Sequence, residues 1–169
     1  VAARNNLAEK NGLSMKYADK VFDIPFERSP FNTKNIGAYK QLKKIMKDEK
    51  YDIVHCHTPV GGILARLAGR KFRKDGLRMI YTAHGFHFYD GAPKKNWIIY
   101  YPIEKFMSRY TDDLITITEE DYKLAKDRNF KGNIHHVHGV GVNTDKFVKL
   151  SEEDRQKLRV DKGYTNEFI

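Results

Sequence analysis

Short apolar runs at residues 52–57, 76–82, 113–118 and 133–138 are separated by segments of helical periodicity, and this alternation limits the fold more than any other feature of the chain. Strands joined by helix-length connections pair through βαβ crossovers, which predicts an α/β class with a mostly parallel sheet and helices on both faces, three layers in all. Right-handed crossovers bring every strand's carboxyl end to one edge. The segments between fit that plan. Ile36, Tyr39, Leu42, Ile45 and Met46 recur at helical spacing over 33–47, with Asn32 or Thr33 able to cap the start. Residues 60–72 and 97–110 read as two further helices, the second broken or kinked at Pro102, and Thr118-Glu119-Glu120-Asp121 resembles a capping box that launches a fourth over 122–126. A short strand is expected at 20–26, and 1–4 reads as the tail of another.

The residues that close the strands are the candidate site. His57, His84, Thr118 with Glu119, and His138 with Gly139 all fall at strand carboxyl ends, where an open α/β sheet places its ligand. His84 stands out because Gly85 follows it, and a residue without Cβ lets a ligand approach the backbone. His57 shares its strand face with His55, so it reads either as a site residue or as one of a packed pair. Gly61-Gly62 at a helix start fits an anion cradle and close strand-to-helix packing equally. Seven histidines invite a metal reading, but neither HExxH nor a Cys-x-x-Cys pair is present, and no metal is expected. Cys56, the single cysteine, is expected to be a small buried strand residue rather than a nucleophile, since its strand neighbours point to the other face.

Composition narrows the partners. Lys plus Arg less Asp plus Glu is 31 − 22 = +9, which favours anionic surfaces or ligands. The lone cysteine points to a reducing compartment, and no stretch approaches the roughly 20 apolar residues that span a bilayer. Lys94 and Lys95 beside Trp97-Ile98-Ile99-Tyr100-Tyr101 have the make-up of a segment resting on an anionic bilayer interface. The rival reading for so basic a chain is a non-catalytic Rossmann-like module that binds nucleic acid or an anionic membrane, though no regular basic stripe or known motif supports nucleic acid.

Asp52-Ile53-Val54-His55-Cys56-His57-Thr58-Pro59, Tyr81-Thr82-Ala83-His84-Gly85-Phe86, Leu114-Ile115-Thr116-Ile117-Thr118-Glu119 and Gly139-Val140-Gly141-Val142-Asn143 together resemble the amino-terminal domain of family 4 (group 1) glycosyltransferases, of the bacterial capsular and exopolysaccharide type. The resemblance implies a Rossmann-like domain, one half of a GT-B fold, over 1–147, with its first strand missing. Residues 148–169 would be a linker and the start of a donor-binding domain, with a new strand opening near 166–169. It implies a retaining enzyme that moves a sugar from a nucleotide-sugar donor to a lipid-linked saccharide acceptor without cofactor or metal. Such an enzyme would be cytoplasmic and peripheral on the inner face of the cell membrane. His84 falls on the histidine of the family's Thr-x-His motif and would be catalytic, with His57, Gly85 and Glu119 lining the acceptor cleft. With half a cleft, this stretch alone would be inactive.

Overall fold

In the computed structural model, residues 1–4, 15–139 and 141–164 are described; the strand expected at 166–169 lies outside them. The chain divides into two compact units, Val1–Gly139 and Val140–Ile169. Among the described residues, the second contains one helix, α5 (Glu152–Asp161), whose start is capped by the Ser151 hydroxyl accepting the Asp154 amide at 3.1 Å.

The first unit is built on a four-stranded parallel sheet. Its strands are β3 (Ile53–His57), β4 (Arg78–Ala83), β5 (Asp113–Thr116) and β6 (Asn133–His136), in the order β3-β4-β5-β6. A separate parallel pair, β1 (Ala2–Ala3) with β2 (Phe22–Asp23), realises the two short strands expected near the start. The helices are α1 (Lys34–Glu49), α2 (Pro59–Gly69), α3 (Lys94–Met107) and α4 (Glu119–Asp127). The parallel α/β architecture expected from the alternation is therefore present. Strand order follows chain order across the larger sheet, so right-handed crossovers place α2, α3 and α4 over the same face. That face carries the buried Cys56, Met79, Tyr81, Ala83 and Leu114, while Ile53, His55, His57 and Arg78 on the other remain exposed.

Local chemistry explains the helix ends. The Asn32 side chain, not Thr33, caps α1 by accepting the Lys34 amide at 3.0 Å, and the helix stops at Lys50 in the left-handed region. The buried stripe of α1 is Asn35, Ala38, Leu42 and Met46, rotated from the expected one, so Ile36 is 58% exposed. Asn35 is buried because it works on the backbone before the helix, accepting the Glu27 amide at 3.0 Å and donating to the Ser29 carbonyl at 2.8 Å. α3 runs unbroken through Pro102, which lies on its exposed side, and tightens into a 3-10 turn at Ser108–Tyr110.

Two features fix the layers above the sheet. Phe86, Phe88, Trp97, Tyr101 and Phe130 form an aromatic cluster in which Phe88 is fully buried, stacked 4.8 Å from Phe86 and edge-on to Tyr101 at 5.5 Å. Burying each such ring is worth about 1.5–3 kcal/mol. Between α2 and α3, Arg66, 1% exposed, donates to Glu104 Oε2 at 2.8 Å and to the Gly62 carbonyl at 3.0 Å, with its guanidinium 3.9 Å from the Tyr81 ring centroid. The Tyr81 hydroxyl donates to the second Glu104 oxygen at 3.4 Å, so both carboxylate oxygens of this buried group have partners.

Candidate functional site

β3 and β4 deliver two histidines to the same edge. With His57 paired to Thr82 in the sheet register, His84 lies just beyond the end of β4, and its Nε2 meets His57 Nδ1 at 3.0 Å. One ring donates and the other accepts, so at least one is neutral. Burial, then the neighbouring His55 and His84, lowers the His57 pKa and so favours the neutral form of that ring. His55 Nε2 is tied to Thr82 Oγ1 at 2.8 Å, and its ring centroid is 4.3 Å from that of His57. The bond between His57 and His84 uses His57 Nδ1 and His84 Nε2, and among the described residues no hydrogen bond is made by His84 Nδ1 or His57 Nε2. The two residues first singled out at strand ends are thus brought into one hydrogen-bonded pair.

The backbone around the pair is constrained. Thr58, directly after His57, has φ 63° and ψ 152°, a region essentially reserved for glycine, and the following Pro59 demands that extended ψ. Nothing in the sequence pattern marked Thr58. Gly85 has φ 140° and a Cβ there would meet nothing within 4 Å, so its glycine is required by conformation and leaves open space beside His84. Gly62 serves close packing, since a Cβ would lie 2.6 Å from the Tyr81 ring, whereas a Cβ on Gly61 would meet only Thr58 Oγ1 at 3.0 Å. The Cys56 thiol is buried, its pKa pushed up to about 12 by that burial, and it donates to the Ile80 carbonyl at 3.3 Å; it is no nucleophile.

The turn after His84 is held from three sides. The buried Asp121 carboxylate accepts the Phe86 amide at 3.3 Å, and its own amide donates to Thr118 Oγ1 at 3.2 Å. The expected capping box is therefore half realised: Thr118 caps α4, but Asp121 reaches across to the site turn. Asn96 donates to the His87 carbonyl at 2.9 Å and the Trp97 indole to the Tyr89 carbonyl at 3.2 Å. Trp97 is thereby packed inward, and the exposed side of α3 is instead Lys94, Lys95, Ile98, Ile99, Pro102 and Phe106.

Glu119 lies elsewhere on the edge. It pairs with Lys123 at 2.8 Å, and that hydrogen bond and charge, with smaller contributions from His136 and His138, lower its pKa. Among the described residues no hydrogen bond joins Glu119 to His57 or His84. Gly139 follows, with Ile117 so near that a Cβ would meet it at 2.6 Å. No three His, Cys, Asp or Glu side chains converge as a metal-ligand set among the described residues.

The stretch that builds this pair coincides with a match to a family model, described as glycosyl transferase 4-like, over residues 4–118. This chain belongs to that family. The chain is also similar to three curated proteins. EpsD of Bacillus subtilis (strain 168), called a glycosyltransferase by assignment rather than by a named reaction, is 51% identical over 97% of this chain and 44% of its own length. An Escherichia coli UDP-Gal:alpha-D-GlcNAc-diphosphoundecaprenol alpha-1,3-galactosyltransferase is 35% identical over 57% of the chain and 26% of its own. A 41.2 kDa protein of the Klebsiella pneumoniae cps region is 26% identical over 85% of the chain and 42% of its own. The chain thus spans less than half the length of these curated relatives. Within the family match lie both histidines of the pair and the strained Thr58, whereas Glu119 begins just after it.

Proposed function

We propose that this chain is the acceptor-side domain of a retaining glycosyltransferase, which transfers a sugar from a nucleotide-sugar to a lipid-linked saccharide in capsule or exopolysaccharide synthesis. The observation that carries this reading is the His57–His84 pair at the carboxyl edge, 3.0 Å between ring nitrogens, inside the family match. During transfer the anomeric carbon exchanges its bond to the donor phosphate for one to the oxygen of an acceptor hydroxyl, the hydroxyl proton passes to the departing phosphate, and positive charge develops on the sugar as negative charge grows on that phosphate. His84 is the group to hydrogen-bond that sugar and stabilise the developing charge, while His57 fixes its ring. No metal or cofactor is assigned to the step. Gly85 leaves the space the ligand enters, and Glu119 borders the acceptor cleft further along the edge.

The domain runs over 1–147, with 148–169 leading to a donor-binding partner. β1, the end of β3 with His57, and Gly85 line one cavity of about 1140 Å³ beside the histidine pair. Membrane docking fits the outer side of α3: Ile98 is 74% and Phe106 47% exposed, flanked by Lys94 and Lys95. No helix among the described residues is long and apolar enough to cross a membrane, so the reading is of peripheral attachment at the inner face, where a diphosphoundecaprenol-type acceptor would be met. A nucleic-acid partner is not part of it.

The test is transfer by the full-length parent from a panel of nucleotide-sugars to a saccharide on a polyprenyl diphosphate, with the product's anomeric configuration read by NMR. A product that keeps the donor's configuration supports the reading. An inverted product, or no transfer from any donor, contradicts it.

A further inference from the structure

Charge also collects at the opposite, amino-terminal edge of the larger sheet. There the turn Ser108–Tyr110, the start of β5 and residues 131–133 border an open cavity of about 640 Å³. Four cations line it, Arg73, Arg78, Arg109 and Lys131, against one carboxylate, Asp112. That carboxylate is already occupied: Arg73 Nε and Nη2 donate to it, and Arg73 Nη1 donates to the Arg109 carbonyl at 2.9 Å, which locks the guanidinium in place. Arg78 is likewise engaged with Asp113, at 2.6 and 3.0 Å.

Arg109 and Lys131 differ. Both are exposed, and among the described residues neither is paired with a carboxylate. The Arg109 guanidinium rests 5.6 Å from the Phe106 ring centroid. Lys131 is carried on a loop pressed against β5: Gly132 has φ 85°, and a Cβ there would lie 2.6 Å from the Thr111 carbonyl oxygen. Lys105 sits close to both, and after burial it is their two charges that lower its pKa. Like charges held together without counter-charge are the arrangement that an incoming anion relieves.

We propose that this cavity binds a phosphate-bearing anion, with Arg73 as its fixed wall and Arg109 and Lys131 as the two arms that close on the ligand. Guanidinium groups match phosphoryl oxygens two at a time, and charge-assisted bonds of this kind are about twice as strong as neutral ones. The phosphate can come from a soluble phosphorylated molecule or from a lipid headgroup, since α3 carries its exposed apolar side chains down to Phe106 beside the cavity. The proposal does not rest on the sugar-transfer reading.

The test uses the full chain and two probes, inorganic pyrophosphate in solution and vesicles of phosphatidylglycerol against phosphatidylcholine. Binding is compared for the unmodified chain, for Arg109→Ala with Lys131→Ala, and for Lys40→Ala with Lys43→Ala, which removes the same charge from the exposed side of α1. Pyrophosphate binding with amide shifts confined to 109–111 and 131–133, weakened about tenfold or more in the first pair and unchanged in the second, establishes a soluble ligand. Vesicle binding alone with the same dependence on the pair establishes a headgroup. Binding of neither probe, or equal weakening by both pairs, overturns the proposal.

Discussion

At Thr58 the backbone leaves β3 in a conformation that a β-branched residue holds only when its surroundings impose it. Such strain costs about 1–3 kcal/mol, and glycine there would relieve it at an entropic cost of about 0.5–1 kcal/mol. Thr58→Gly is therefore expected to raise Tm by about 2–4 °C in a thermal melt, while lowering turnover of the parent because His57 loses its fixed exit from the strand. A lowered Tm would show that the conformation is not strained. His84 and Gly85 were legible in the sequence because a histidine and a glycine at the end of an apolar run carry their own local signal. Thr58 was not, since Thr-Pro after a strand is unremarkable until its torsions are known. Asp121 was legible only as a cap; its bond to Phe86 spans 35 residues of sequence and depends on how β4 and β5 come together.

The helices carry two kinds of information of unequal visibility. Start signals such as Asn32 and Thr118 are local and legible, whereas the orientation of α1 is set by what it packs on. Met46 reaches α2 at Gly69, where a Cβ would lie 3.5 Å from its sulfur, and so the stripe turns towards Asn35 and Ala38 and leaves Ile36 outside. The Arg66–Glu104 clamp was invisible for the same reason, its partners lying 38 residues apart on different helices. Removing one partner strands a buried charge, so Glu104→Ala should cost about 3–5 kcal/mol in denaturant unfolding, whereas Arg66→Met with Glu104→Leu should recover most of that loss. A small effect of the single change would show that the pair does not hold α2 to α3. The outer side of α3 makes a separate prediction. Ile98→Glu with Phe106→Glu should lower partition of the parent onto phosphatidylglycerol vesicles by about tenfold or more, since each apolar side chain taken into lipid contributes about 1.5–3 kcal/mol. Unchanged partition would move the docking surface away from this helix.

For the whole first unit, acid sensitivity belongs to the amino-terminal edge, where two carboxylates are held by arginines. Arg78, with His135 and Asn133, holds the Asp113 carboxyl well below the usual carboxylate range, and Arg73 lowers Asp112 in the same direction. A depressed folded pKa gives stability that is present above the unfolded value of about 3.9 and lost as pH falls through the folded one. Unfolding free energy should accordingly drop below about pH 4, and Asp113→Asn should flatten that drop while lowering stability at neutral pH; an unchanged acid profile would place the sensitivity elsewhere. The α/β class and parallel order followed from the spacing of strands and helices, because crossover chemistry leaves few alternatives. The pairing of His57 with His84 required the register of β3 on β4, which no spacing rule supplies. Whether the His57–His84 pair lies at the reacting sugar is decided by sugar transfer in the full-length parent carrying His84→Ala, each protein checked by thermal melt. Turnover is expected to fall by about 10²–10³ with Tm unchanged to within a few degrees, as for loss of one charge-stabilising hydrogen bond at an exposed edge. Near-unmodified turnover in a folded His84→Ala parent would contradict that placement.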